Sequence, residues 1–389
     1  MSDGEPTTPP TGRFGIVYVQ THPEPWEFFR APIVREVSQI MPVLLVHPVA
    51  ARTGYPRLVR GLGHGRPGST RALEPGRFQV DVQLLLPFGR FSLIGRANQR
   101  LIAAQARRAM RAAGIDSGAL WFHQPRWWPM VEMFDGQLLS LYDCTDLYSA
   151  FPDIDSRAAA AVTAQERHLM STPGLAIAVS EELRQRLCQF GERPVGRIPH
   201  GFDPSAGDGP AAIPADVARP LIGLVGRLND RYDYDVLDAI ADRFTDCTLV
   251  LAGSIDEASS AAGRIAKLAS RKNVTLTGGL TRAQAAKLAT AVEVGVIPYV
   301  DTPMNRACDP VKMYDHLGGG VPVVASDVSG SIRDEPLVRT AGNREDFLTA
   351  IDAALQTPLD QEALRAWRQQ NTNAARARQV AQLVRAHAA

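Results

Sequence analysis

Lys312 and Asp315 stand three residues apart in the stretch Asp309 to Ser326, which reads Asp-Pro-Val-Lys-Met-Tyr-Asp-His-Leu-Gly-Gly-Gly-Val-Pro-Val-Val-Ala-Ser. At that spacing both side chains project from one face of a helix. Pro310 suits a first helical turn, where its missing N–H costs nothing. The glycines from Gly318 to Gly320 stop the helix after about two turns. Val321 to Ala325 then reads as a short buried strand. The free N–H groups and dipole of a helix start favour an anion, and Lys312 adds a cation there. A carboxylate one turn deeper can take two hydrogen bonds from a vicinal diol such as a ribose. Phosphate and ribose together are the chemistry of a nucleotide.

A second set follows the apolar run Leu221 to Val225. Gly226 would let backbone approach a diphosphate closely, and the Arg227 guanidinium would neutralise it through paired hydrogen bonds. Arg231 lies four residues on, and both arginines could equally be surface residues of an Arg-rich chain. In the first half, Asp143 and Asp146 flank Cys144-Thr145 after the strand-like Leu138 to Tyr142. Either carboxylate could take a proton from an attacking hydroxyl as general base, or merely form an Asx turn or N-cap. His123 ends the apolar run Ala119 to Phe122, a place where a histidine can also be a structural hydrogen-bonder. His22 follows the first strand and precedes Pro23-Glu-Pro-Trp26.

These residues need elements to hold them. Short apolar strands alternate with helical segments, which predicts two open parallel sheets covered by helices, an α/β architecture. Strand candidates are 14–19, 42–46, 80–86, 119–122, 138–142 and 175–179, then 221–225, 247–252, 273–276, 292–297 and 321–325. Pro204 to Pro220, rich in Pro, Gly and Ala, has the composition of a linker. Two such sheets facing each other leave a cleft at the carboxyl ends of their strands, where open α/β sheets bind ligands. Arg52 to Gly76 reads as a long loop. Within it Gly63-His-Gly-Arg-Pro-Gly68 spells a dinucleotide pattern but lacks the strand before and the helix after.

The Asp309–Ser326 run resembles the donor-binding signature of GT-B glycosyltransferases, specifically the family 4-like group (glycosyl transferases group 1). Members often carry Pro-x-Lys-x-x-Glu-Tyr-Leu-Ala-x-Gly-x-Pro-Val-Val. Lys312 and Pro322 match, Asp315 replaces the Glu, His316 the Tyr and Gly318 the Ala. Leu221 to Asp235 resembles the first strand and Gly-rich turn of that donor domain. Leu175 to Asp203, with Ser180-Glu-Glu-Leu and Ile198-Pro-His-Gly-Phe-Asp, resembles the passage ending the family's first domain. The resemblance implies two Rossmann-like domains: a tail over 1–11, an acceptor-side domain over 12–205, a donor domain over 206–360, and a terminal helix over 361–389 crossing back onto the first domain. It also implies that Gly279 and Leu280 present backbone to the base, or else form a tight turn. His123 would face the donor sugar, and His22 would be an alternative base, as in some inverting members. Retaining members carry a Glu eight residues before the ribose carboxylate. Here that position is Ala307, with Asp301 and Asp309 nearby but out of register. No metal or cofactor is expected, and Asp153-x-Asp155 and Asp233-x-Asp235 read as chance pairs. The expected donor is a UDP-sugar, with GDP-sugar second, and the acceptor an unknown hydroxyl. A sugar-nucleotide epimerase and a non-catalytic nucleotide-sugar binder are the rival readings.

Composition narrows the rest. With 389 residues the chain is long enough for two cores. Lys plus Arg number 42 against 41 Asp plus Glu, which argues against a nucleic-acid binder. Lysine occurs at 267, 272, 287 and 312 alone, so one inside the best motif stands out. The cysteines Cys144, Cys188, Cys247 and Cys308 have no metal spacing. No run spans a bilayer and Met1 to Thr11 lacks a signal's apolar core, so the chain reads as cytoplasmic. Phe91 to Arg111, with its interleaved arginines and apolar residues, could contact an anionic membrane face, or simply cover the sheet as an Arg-rich outer helix.

Overall fold

The computed structural model describes residues 13–48, 69–82, 92–151, 154–206, 213 and 217–388. The tail, the Gly63–Gly68 pattern, Phe91, Asp153 and most of the expected linker lie outside them. Two parallel-sheet α/β domains follow one another. The first sheet holds β1 (Arg13–Val19), β2 (Val43–Pro48), β3 (Thr70–Glu74), β4 (Arg77–Val82), β5 (Ile115–Phe122), β6 (Leu138–Cys144), β7 (Leu175–Ala178) and β8 (Val195–Arg197). Their order is β3-β4-β2-β1-β5-β6-β7-β8. Only β3 runs antiparallel among the described strands, pairing with β4 as an edge. This corrects the expectation of one loop over 52–76.

The second sheet holds β9 (Leu221–Val225), β10 (Thr248–Ala252), β11 (Val274–Gly278), β12 (Val294–Ile297), β13 (Val323–Ser326) and β14 (Val338–Ala341). Its order is β11-β10-β9-β12-β13-β14. Strands such as β1 and β9 are nearly continuous apolar runs because helices cover both of their faces. The order reverses between β9 and β12, which register Ile222 against Val294. A crevice opens outside the carboxyl ends of two strands that leave in opposite directions.

The helices that bear on the site are α1 (Ala31–Ser38), α2 (Ser92–Ala113), α3 (Arg282–Ala289), α4 (Pro303–Arg306), α5 (Val311–Gly319), α6 (Gln361–Gln370) and α7 (Asn373–Ala388). Ile102, Ala103, Ala106, Ala109 and Met110 of α2 are buried in the first domain's core, so most of its apolar stripe covers the sheet. Leu93 and Leu101 remain exposed. The expected single terminal helix is two, α6 and α7, broken at Asn371-Thr372, where Thr372 bridges to Phe202. Ala377, Val380, Ala381 and Val384 of α7 join α1 in the core on one face of the first sheet. Hydrogen bonds tie the two domains together: the His200 N–H donates to Asp309 at 2.8 Å and the Ser180 hydroxyl to the Ala307 carbonyl at 2.7 Å. Within the first domain's side, Arg376 Nε of α7 donates to the His200 carbonyl at 3.0 Å.

Candidate active site

Lys312 sits in the first turn of α5, two residues after Pro310, which is the N-cap rather than the first helical residue. Gly320, at φ 82°, ends the helix in the left-handed conformation that glycine adopts without strain. The ammonium donates to the Tyr232 hydroxyl at 2.5 Å and to the Tyr299 hydroxyl at 3.2 Å. It lies over both rings, 4.8 and 5.1 Å from their centroids. Burial opposes its charge, but the two tyrosines face it and hold its pKa above the usual lysine range.

Gly226 follows β9 with φ 137°, where a side chain is strained. A Cβ there would stand 3.0 Å from the Tyr232 hydroxyl and 3.2 Å from Lys312 Nζ. The glycine therefore keeps the floor open directly below the ammonium. Tyr232 follows the Gly-rich turn and Tyr299 follows β12, so the strand-order reversal itself brings the two rings to 5.6 Å. Neither was singled out from the sequence. The available signal was a tyrosine just beyond β12 and another at the end of the turn that follows β9.

Arg231 lies under the same roof. Its Nε donates to Asn305 Oδ1 at 2.7 Å, and its guanidinium stacks 4.9 Å from the Tyr299 ring. Its Nη2 is enclosed and has no hydrogen-bond partner among the described residues. Asn305 is fully buried in α4, and its amide ties the Arg231 and Val300 carbonyls together. Arg227, by contrast, is exposed at the rim and pairs with Asp256 at 3.0 Å.

Across the cleft, Asp146 is half-buried just past β6. Burial raises its pKa to about 6, while the charge of Arg231 and a hydrogen bond from Thr145 pull it down. The second domain's arginine thus acts electrostatically on the first domain's carboxylate. Asp143 does not share this place. It is fully buried, with Arg30 Nε at 2.9 Å from Oδ2, Nη2 at 3.0 Å from Oδ1, and the Trp121 indole N–H also on Oδ2. The remaining Arg30 donors hold the Pro199 and Ile198 carbonyls. Asp143, through Arg30, therefore anchors the chain leaving β8 and cannot reach an incoming hydroxyl, which corrects its expected role as a base.

His123 is buried as well. Its Nε2 lies 2.8 Å from the Tyr18 hydroxyl and its Nδ1 3.4 Å from Asp143. Burial lowers its pKa to about 4, against the opposing pull of Asp143. It is a neutral ring committed to the first domain's interior. His22 is exposed and turns back on its own loop, Nδ1 donating to the Glu24 carbonyl at 2.6 Å. Asp315 is 5% exposed, and its partner is Arg282 at 2.7 Å rather than Lys312. Gly279 and Leu280 lie just past the end of β11 and ahead of α3, with Gly279 exposed and Leu280 packed at the edge of the second domain's core.

The displaced carboxylates are accounted for too. Ala307 is buried against the first domain's core. Asp309 is held by the His200 N–H and the Tyr314 hydroxyl, and burial raises its pKa. Asp301 is exposed and paired with Arg306. Asp233 caps the helix Tyr234–Arg243 and Asp155 caps Ser156–Met170. No group of three or more His, Cys, Asp or Glu that could hold a metal ion is found among the described residues.

The two parallel-sheet α/β domains, one following the other, form a GT-B architecture. Residues 219–357, the second domain, match the family model described as "Glycosyl transferases group 1". A Bacillus subtilis (strain 168) protein, provisionally named as the teichuronic acid biosynthesis glycosyltransferase TuaH, is 25% identical over 139 residues. That match spans 35% of this chain and 34% of the relative. Among solved structures, sucrose-phosphate synthase from Thermosynechococcus elongatus superposes with a TM-score of 0.67 at 16% identity, covering 96% of this chain and 99% of that one. The UDP-forming α,α-trehalose-phosphate synthase from Burkholderia xenovorans, in complex with glucose-6-phosphate, gives 0.68 at 12%, covering 96% and 100%. These likenesses establish the fold across both domains.

Proposed function

We propose that the chain transfers a sugar from a nucleoside-diphosphate sugar to a hydroxyl acceptor, with UDP the first choice of nucleotide and GDP the second. One observation carries the reading. The Lys312 ammonium stands over a side-chain-free Gly226 at the β9/β12 reversal, and the Arg231 guanidinium, with one enclosed and unpartnered nitrogen, shares the Tyr299 ring with it. Such a set suits a dianionic leaving group whose charge grows at the transition state. The acceptor oxygen attacks the anomeric carbon, the bond from that carbon to the diphosphate oxygen breaks, and its electron pair leaves with the diphosphate. Asp146 takes the hydroxyl proton. Positive side chains meet the diphosphate charge, so no metal is required. The likeness to the Burkholderia xenovorans enzyme, a UDP-forming synthase, favours UDP. The chain works in the cytoplasm, and contact with an anionic membrane face through Phe91–Arg111 would rest on exposed Leu93 and Leu101. Co-sedimentation with anionic vesicles, compared with a Leu93→Glu variant, tests that contact.

The transfer itself is tested by incubating the protein in EDTA with UDP- and GDP-sugars and a panel of hydroxyl acceptors, measuring released nucleotide. Acceptor-dependent release of UDP supports the reading. Formation of a new sugar nucleotide without release would instead make the protein an epimerase. With Asp146 as base, the product should carry the inverted anomeric configuration, and retention would remove Asp146 from that role.

A further inference from the structure

Asp315 is the residue expected to hold the ribose, yet it accepts Arg282 Nη2 on Oδ1. The pair is nearly enclosed, with side chains 17% and 4% exposed. Oδ2 takes no hydrogen bond from a described residue, and Arg282 Nε is buried without a partner. Arg282 opens α3, which Thr281 caps from within through a reciprocal pair with Gln284. The Arg282 backbone N–H is given to Glu27 Oε2 at 2.9 Å, from the loop that follows β1 in the first domain. An acidic side chain at a helix start is the favourable arrangement. Here it crosses the cleft and fixes where the guanidinium begins.

We propose that Arg282 and Asp315 together read the ribose of the donor, Arg282 being a specificity-determining residue for the site proposed above, on which this inference rests. A carboxylate can only accept, whereas each hydroxyl of a vicinal diol both donates and accepts. Asp315 Oδ2 accepts from one hydroxyl, and the Arg282 fork supplies the N–H donor that a carboxylate lacks. Asp315 is also one methylene shorter than the glutamate of the motif it resembles. A guanidinium already bonded to its other oxygen extends the polar surface by the missing reach and holds the carboxylate in one orientation.

The test is titration calorimetry of wild type, Arg282→Ala and Arg282→Lys with UDP, 2′-deoxy-UDP and 3′-deoxy-UDP, and with the guanosine series if GDP binds better. Wild type should prefer the ribonucleotide over at least one deoxy analogue by about 10- to 100-fold, the range of a hydrogen bond to a charged group. Arg282→Ala should lose that preference, binding UDP more weakly by the same factor and the deoxy analogue unchanged. Arg282→Lys, which keeps charge but not the planar fork, should fail to restore it. Three results would overturn the proposal. Equal weakening of UDP and both deoxy analogues would make Arg282 a structural support. Preserved discrimination would make it a bystander. Tighter UDP binding by Arg282→Ala would make it a competitor for Asp315. If no nucleotide binds wild type, the donor site itself is wrong and this reading falls with it.

Discussion

Asp146 and Asp143 are three residues apart, carry the same functional group, and have opposite fates. Asp143 is locked by Arg30 and Trp121, whereas Asp146 stands half-buried in the cleft with its pKa raised to about 6. Sequence reading offered both because residue type and position after a strand were all it could weigh. Burial and the partner from residue 30 decide between them, and neither is local in sequence. If Asp146 is the base, kcat/KM should rise with pH and level off above about pH 6, where the carboxylate is free. Asp146→Asn should abolish that limb and lower kcat by roughly 10²- to 10⁴-fold. The same shift has a stability sign. Between about pH 4 and 6 the folded chain binds a proton that the unfolded chain has lost, so this group's contribution to stability falls as pH rises through that window. In urea titrations Asp146→Asn should flatten that fall. Lys312 was legible as a cation at a helix start. Its cage of Tyr232 and Tyr299 was not, because it forms only when β9 and β12 lie side by side.

At the scale of elements, glycines mark where backbone or ring must come close. Gly226→Ala would force φ 137° on a residue with a side chain and place its Cβ against Tyr232 and Lys312. It should abolish nucleotide binding while leaving the far-UV circular dichroism of the fold intact. Gly318 is a second case. The resembling motif has Ala there, but a Cβ would come within 2.3 Å of the Phe202 ring. Phe202 stacks in turn on Trp367 of α6 at 5.6 Å. Gly318→Ala should therefore destabilise by about 1–3 kcal/mol through overpacking, read as a lowered urea midpoint. Both parallel sheets were legible from their buried apolar runs. The β3 edge and the short β8 were missed because Thr70–Glu74 and Val195–Arg197 are not continuous apolar runs. β14 escaped for the same reason, with Arg339 and Thr340 in its middle. The break between α6 and α7 was hidden because helical spacing continues through Asn371-Thr372, where backbone bonds to Phe202 intervene.

Across the whole molecule, one buried ion pair stitches β6 to the chain just past β8. Arg30 and Asp143 are both fully buried, and Arg30 also holds two carbonyls just before His200. Removing one partner leaves a buried charge unpaired, so Asp143→Ala should cost about 3–5 kcal/mol. Denaturant unfolding would register this, while nucleotide affinity, which lies in the second domain, should change little. A loss of affinity matching that of Lys312→Ala would restore Asp143 to the site. The two-domain plan was readable from the sequence, but the contacts that orient the domains pair residues more than a hundred positions apart. The central claim is that the β9/β12 crevice holds a nucleoside diphosphate through Lys312. The most direct measurement is thermal unfolding in EDTA with UDP, GDP, ADP, CMP and NAD in turn, on wild type and Lys312→Ala. One nucleoside diphosphate at about a hundred times its Kd should stabilise wild type by about 2.7 kcal/mol and leave Lys312→Ala unmoved. Equal stabilisation of both proteins, or no response of wild type to any of them, would contradict it.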